Sequence, residues 1–404
     1  MHTSFAGKSV VIGVSGSISA FKIAGWASSL VKEEAIVDVV MTSSAQKFIA
    51  PLTFEALTGR PAYTDMFPVE NRDPMSHINL GRDTDCIIIA PATAQTIARL
   101  TYGLADDLLS TIVLAARVPV IVCPAMNTGM YEHPATQANI AELKKFGYVV
   151  VDPDCGRMAC GDSGAGRLVE WDHAREYILR SLSTKDLSGQ RVLVTAGPTR
   201  ETYDPARYVS NRSSGKMGYA LAQSAFRRGA DVTLVSGPVS LAPPAGIELI
   251  SVTSAQQMYD AVMDVQNSFS IIVKSAAVSD FRPAHVNAEK IKKENSTLVM
   301  ELEQTMDILK ELGHKRNPDR QLLIGFAAES TDIESQARIK LATKGLDLIA
   351  VNDITSQQAG FACDTNQLTL ISQTDAVKLP LTTKIRTADL LWDYVVDHSL
   401  LRSQ

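Results

Sequence analysis

Along the chain, short runs of β-branched and aliphatic residues alternate with longer stretches in which apolar positions recur every three to four residues. Residues 8–14 read as a strand, 18–32 as an amphipathic helix and 36–41 as the next strand. The runs at 86–90, 118–123 and 148–151 continue the series. Near Arg180 the pattern lapses. Residues 181–190, Ser181-Leu182-Ser183-Thr184-Lys185-Asp186-Leu187-Ser188-Gly189-Gln190, are polar and turn-rich and read as a linker. The alternation then restarts with strands at 191–196, 232–235, 271–274, 322–326, 346–351 and 368–372. Apolar runs without inside–outside alternation, separated by helices, predict βαβ units and a parallel sheet covered on both faces. The expectation is an α/β chain of two domains, at roughly 1–182 and 189–404. Each is a mostly parallel doubly wound sheet, flavodoxin-like or Rossmann-like, with ligands beyond the carboxyl ends of its strands.

Composition narrows the function classes. A length of 404 residues with 45% hydrophobic content suits two buried cores. A net charge of −5 argues against a broad nucleic-acid footprint. The apolar stretch 86–98 is interrupted by Pro91, Thr93, Gln95 and Thr96, too short and polar to cross a bilayer. Five cysteines at 86, 123, 155, 160 and 363 form no framework, which reads as a reduced, soluble, cytoplasmic chain.

Candidate chemistry sits at the ends of the strands. Gly13-Val14-Ser15-Gly16-Ser17-Ile18-Ser19 precedes a helix. Glycines admit a phosphate close to the backbone, and hydroxyls with helix-terminal amides supply donors. The spacing is not that of a dinucleotide fingerprint, so the loop serves either a single terminal phosphate or only a tight turn. After the strand ending at Ala90, the loop Pro91-Ala92-Thr93 offers either a surface for a flat ring or a plain helix cap at Thr93. Asn127, in Pro124-Ala125-Met126-Asn127, holds a carboxylate or caps a turn. His77 starts a predicted helix, as a proton-exchanging group or a capping residue. Cys160 lies in a flap with four glycines between residues 156 and 166 and arginines at 157 and 167, a setting that favours a reactive thiol.

In the second half, Thr195 to Glu201 leads through a longer loop to Arg207, Asn211 and Ser213-Ser214-Gly215-Lys216-Met217-Gly218 before a helix. Met217 stands where a P-loop needs Ser or Thr, so an ordinary nucleoside triphosphatase is disfavoured. Ser275-Ala276-Ala277-Val278-Ser279-Asp280 closes a strand with an acid suited to a ribose or a metal. Lys290, Lys292 and Lys293 are either a charge-neutralising cluster or a solvated face. Phe326 and the lysines Lys340 and Lys344, four residues apart on a basic helix, add candidates.

Taken in order, the Gly/Ser loop, His77, the Pro-Ala-Met-Asn motif and Cys160 in its glycine-rich flap resemble the homo-oligomeric flavin-containing cysteine decarboxylase family, over about 170 residues. The later clusters resemble the phosphopantothenate–cysteine ligase domain in its bacterial, CTP-using, fused form. The whole chain is therefore similar to the bifunctional phosphopantothenoylcysteine decarboxylase/phosphopantothenate–cysteine ligases of coenzyme A biosynthesis.

The resemblance implies FMN, with its phosphate at Gly16 and Ser17 and its ring against Ala90, Pro91, Ala92 and Thr93. It implies His77 in the active site, Asn127 on the substrate carboxylate, and Cys160 as the acid that protonates an enethiol after CO₂ leaves. Flavin oxidation of the C–S unit to a thioaldehyde supplies the electron sink that an ordinary acyl cysteine lacks. In the ligase half it implies Lys290 in acyl-cytidylate formation, Asn211 in its conversion to amide, and Arg207 on substrate. It further implies that Ser275, Ala276, Ala277, Asp280, Asp307, Phe326, Lys340 and Lys344 contact CTP, with Mg²⁺ near Asp280. Ser279 departs from the alanine expected there. The substrates implied are 4'-phosphopantothenate, cysteine and CTP, with no nucleic acid or membrane partner. The assembly implied is a homo-oligomer of trimeric flavin domains and dimeric ligase domains. The competing reading is a nicotinamide- or flavin-dependent oxidoreductase with two Rossmann-like domains, against which the missing glycine fingerprint counts.

Overall fold

The computed structural model describes residues 4–67, 75–158, 161–291, 299–329, 332–353 and 363–401. The chain divides into two compact units, Met1–Ser183 and Thr184–Gln404.

In the first unit the described residues form strands β1 (Ser9–Val14), β2 (Ile36–Met41), β3 (Ala62–Tyr63), β4 (Cys86–Ala92), β5 (Val120–Pro124) and β6 (Val149–Val150). They make one parallel sheet in the order β3-β2-β1-β4-β5-β6. Residues 10–14 of β1 are all buried, as a strand covered on both faces requires. Helix Ala20–Lys32 buries Ala20, Ile23, Trp26, Ala27 and Leu30, one stripe at helical spacing. Trp26 meets Trp171 of helix Trp171–Leu182 with ring centroids 5.5 Å apart. The strand order reverses between β1 and β4, so a crevice opens at their carboxyl ends. The glycine-rich flap is an antiparallel hairpin, β7 (Asp154–Arg157) with β8 (Ser163–Arg167).

The second unit repeats the plan. Its strands are β9 (Arg191–Ala196), β10 (Arg200–Asp204), β11 (Arg207–Ser210), β12 (Asp231–Ser236), β13 (Glu248–Ser251), β14 (Ile271–Lys274), β15 (Phe281–Pro283), β16 (Leu302–Gln304), β17 (Leu322–Glu329), β18 (Leu348–Asp353), β19 (Thr365–Asn366), β20 (Leu368–Ser372), β21 (Ala376–Lys378) and β22 (Thr382–Thr383). The main sheet runs β13-β12-β9-β14-β17-β18-β20-β21; it is parallel as far as β18, and the last two strands are antiparallel. Its order reverses between β9 and β14. The doubly wound α/β expectation thus holds in both units.

Two stretches differ from their sequence reading. The longer loop after residue 199 is an antiparallel hairpin of β10 and β11. The stretch read as a linker is tied down at its end: Leu187 is fully buried, and the Asp186 carboxylate takes two bonds from Arg228, at 2.8 and 2.5 Å. Burial of one leucine contributes roughly 1.5–3 kcal/mol, enough to pin a short polar run.

Candidate functional site

The first unit's site grows from the crevice between β1 and β4. Ser15, 1% exposed, donates its hydroxyl to the Pro91 carbonyl at 2.6 Å and accepts from the Thr93 N–H at 3.1 Å. This one side chain joins the loop carrying Gly16 and Ser17 to the loop carrying Ala90, Pro91, Ala92 and Thr93. Gly16 is demanded by packing, since a Cβ there would lie 2.4 Å from Cβ of Ser44. Thr93 caps the next helix through the Thr96 N–H at 3.3 Å. Helix Ala20–Lys32, by contrast, has no side-chain cap on its amides and no acid in its first turn. An uncapped thirteen-residue helix beginning beside Ser17 and Ser19 fits a phosphate.

The end of β5 is stitched to the same crevice. The Ala125 N–H donates to the Ala92 carbonyl at 3.0 Å, and the Met126 N–H donates to the Gly166 carbonyl at 2.9 Å. Asn127 caps helix Thr128–Glu132 with its oxygen, taking the Gly129 N–H at 2.8 Å, and its Nδ2 donates to the Asp162 carboxylate at 2.7 Å. The flap hairpin therefore lies flat on the Pro-Ala-Met-Asn turn. A side chain at Gly166 would put its Cβ 2.4 Å from the Met126 carbonyl oxygen.

His77 is the second residue of helix Ser76–Arg82, half-buried. Its Nδ1 is buried and has no hydrogen-bond partner among the described residues. Cys160 lies outside the described residues.

In the second unit a cavity of about 790 Å³ opens over the carboxyl ends of β14, β17 and β18, beside the loop that leads into helix Lys216–Arg227. Asn211, Ser275, Ala276, Ala277 and Asp280 line one side. Asp307, Phe326, Lys340 and Lys344 also line it, so these groups read from sequence converge. The loops are knit by backbone and hydroxyl bonds. The Ala277 N–H reaches the Gly197 carbonyl at 2.9 Å, the Ser275 hydroxyl the Thr195 carbonyl at 2.7 Å, and Thr199 Oγ1 takes the Ser279 N–H at 3.0 Å. Ser279 is buried, and its backbone is engaged at both N–H and carbonyl. Asn211 fastens its amide to the Ala277 and Val278 carbonyls at 3.0 and 3.1 Å. Gly215, at φ +77°, turns the chain into helix Lys216–Arg227 in a conformation that suits glycine.

Asp307 caps helix Ile308–Lys315 through the Lys310 N–H and pairs with Lys344 at 2.8 Å. Against desolvation, which raises it, those two bonds hold its carboxyl below the ordinary range. Arg207 and Lys290 do not line the cavity. They are neighbours through Ile291: its N–H donates to the buried Asp204 at 3.3 Å, and its carbonyl accepts from Arg207 at 3.5 Å. Lys292 and Lys293 lie outside the described residues.

Sequence reasoning missed several cavity residues. Lys274 and Lys384 are cations on the cavity wall. Their only signal is a lysine closing an apolar strand and a lysine opening a helix. Ser15 is read from sequence only as one of the loop's hydroxyls, not as the tie between the two loops.

Comparison with known proteins follows the same division. A family model described as Flavoprotein matches residues 2–183, and one described as the DNA/pantothenate metabolism flavoprotein C-terminal domain matches residues 187–398. The coenzyme A biosynthesis bifunctional protein CoaBC of Bacillus subtilis (strain 168) is 48% identical over 368 residues, 90% of each chain. The protein of that name from Escherichia coli (strain K12) is 42% identical over 397 residues, 97% of this chain and 98% of the other. A crystal structure of the C-terminal domain of a CoaBC protein is 40% identical, covers 54% of this chain and 98% of its own, and has a TM-score of 0.46. The chain belongs to the CoaBC family of bifunctional coenzyme A biosynthesis proteins.

Proposed function

We propose that the second unit ligates 4'-phosphopantothenate to cysteine using CTP, and that the first unit decarboxylates the product with FMN to give 4'-phosphopantetheine. One observation carries this reading: residues scattered from 211 to 344 line a single cavity large enough for a nucleotide and an acyl chain, at the second sheet's reversal point. The relatives named above support it.

In the ligase step, Lys340 and Lys344 neutralise the nucleotide phosphates, and Phe326 packs against the nucleotide. Lys290, on a segment pinned by Asp204 and Arg207, stabilises charge as the substrate carboxylate attacks the α-phosphate and pyrophosphate leaves. Asn211, fixed by its two carbonyl contacts, steadies the acyl-cytidylate while the cysteine amine displaces CMP. Among the described residues no cluster of three His, Cys, Asp or Glu side chains stands ready for a metal. A magnesium ion would therefore rest on Asp280 and on the phosphates themselves.

In the decarboxylase step, Gly16, Ser17 and the uncapped helix would hold the FMN phosphate, and Ala90 to Thr93 would hold its ring. When bound, the flavin supplies reversible two-electron oxidation. The chain does the rest. Asn127 grips the carboxylate of the cysteine end, and Cys160 returns a proton to the carbon that CO₂ vacates. His77 stands in the active site, a neighbouring subunit completes the flavin site in a trimer, and ligase units pair as dimers. Among the described residues no helix is long and apolar enough to cross a membrane, and the reading puts the enzyme in the cytoplasm.

Incubation of the full chain with phosphopantothenate, cysteine, CTP and Mg²⁺ is expected to release CMP, pyrophosphate and CO₂ in equal amounts. CMP without CO₂ would remove the decarboxylase half, and no CMP at all would remove the ligase half.

A further inference from the structure

Lys274 closes β14, between Thr195 of β9 and Gly325 of β17, and lines the cavity with Asp280, Asp307 and Lys344. Its ammonium donates one bond, to the Ala276 carbonyl at 2.8 Å. That acceptor is neutral. Among the described residues no carboxylate stands within ion-pair reach of this group; Asp307 and Asp280 act on it only from farther away. Lys344 makes the ion pair with Asp307, at 2.8 Å, and repels Lys274. Lys216 is likewise paired, with Asp364 at 2.5 Å.

A half-buried ammonium with no carboxylate paired to it is costly to hold. The structure holds one here, at the strand end where a doubly wound sheet presents ligands. A polyanion entering the cavity supplies the missing charge. It meets Lys274 on the β14 side and Lys340 and Lys344 on the helix side. We propose that Lys274 is a phosphate-binding residue for the nucleotide, the cation on the β14 wall that faces those two lysines across the triphosphate. This rests on the ligase reading above and adds a contact to it.

The test compares variants of the full chain. Lys274→Gln keeps a donor for the Ala276 carbonyl and loses the charge; Lys274→Arg keeps the charge. Calorimetric titration with CTP and Mg²⁺ is expected to show affinity weakened about tenfold to a hundredfold in Lys274→Gln and largely retained in Lys274→Arg. A purely structural role would weaken CTP and CMP alike, whereas here the preference for CTP over CMP falls. KM for CTP rises more than KM for cysteine. Where Lys274→Gln does not fold, Lys274→Met, of matching length, takes its place and the same ratios decide. Unchanged CTP affinity on loss of the charge, or equal loss for CTP and CMP, overturns the proposal. A wild-type chain that neither binds CTP nor forms acyl-cytidylate sinks the ligase reading and this inference with it. Wild-type binding beside an indifferent Lys274→Gln sinks this inference alone.

Discussion

The Asn127 amide and the Asp162 carboxylate, in the turn of the flap hairpin, face each other, Nδ2 to Oδ2 at 2.7 Å. The amide assigned to a substrate carboxylate thus already holds one, so its donor is aimed and its geometry suits the group. Asn127→Asp would set two carboxylates against each other and repel a third. We expect CO₂ release to fall by about a hundredfold or more, with bound flavin retained, since losing a bond to a charged group and adding repulsion amounts to about 3 kcal/mol. A CO₂ assay beside the visible spectrum of the purified variant checks both; decarboxylation at the normal rate would remove Asn127 from the site.

Gly166 lets the flap lie on the Met126 carbonyl. Its φ of +133° opposes a side chain, and so does the 2.4 Å separation that a Cβ would have from that carbonyl oxygen. Gly166→Ala is expected to cost about 1–3 kcal/mol locally and to lift the hairpin from Asn127. Decarboxylation should drop while CMP release in the ligase assay stays at the wild-type rate, because the change is confined to the first unit. Equal loss of both activities would mean a global folding defect instead.

Ser15 binds the two loops of the first crevice through a buried hydroxyl. Ser15→Ala removes the Thr93 N–H acceptor inside the protein, at a cost of about 1–3 kcal/mol. The variant should lose flavin on gel filtration where the wild type keeps it, and unfold at a lower temperature. Full flavin retention would show that the loops hold together without this bridge.

Much of this is legible in the sequence, and the reason is physical. Parallel strands buried on both faces must be continuous apolar runs, so the strands at 36–41, 191–196 and 271–274 have the bounds that their apolar runs predict. The two hairpins, β7–β8 and β10–β11, carry polar and glycine residues without alternation. What holds β8 comes from outside it, as in the Met126–Gly166 bond. Leu187 is an isolated apolar residue in a polar run, and its anchor is 41 residues away at Arg228. Lys274 and Lys344 are seventy positions apart in sequence, so their mutual repulsion has no local signature.

The thiols differ in the same way. Burial pushes Cys86 and Cys123 up to about 12, whereas Cys155 is exposed on β7. Because the thiolate is the nucleophile, an alkylating reagent at neutral pH should mark the peptide bearing Cys155 and leave those bearing Cys86 and Cys123 unmarked until denaturant is added. Mass mapping reads the result; early labelling of Cys123 would contradict its burial in the sheet.

Lys274 also makes a stability prediction with a definite sign. Desolvation, aided by Lys344, pushes its ammonium down to about 8 from an unfolded value near 10.5. Below pH 8 the group is charged in both states and the folded chain bears the full cost. Between about pH 8 and 10.5 the folded chain sheds the proton while the unfolded chain keeps it, so stability rises with pH through that window. Lys274→Met removes the cost. Without ligand, its unfolding midpoint should lie above that of the wild type at pH 7, with the gap narrowing toward pH 10. Saturating CTP and Mg²⁺ should reverse the order, because the wild type then gains the contact that the variant lacks. Thermal unfolding at three pH values, with and without nucleotide, decides it. A variant less stable than wild type in the empty state at pH 7 would mean that Lys274 supports the fold and is not held at its expense.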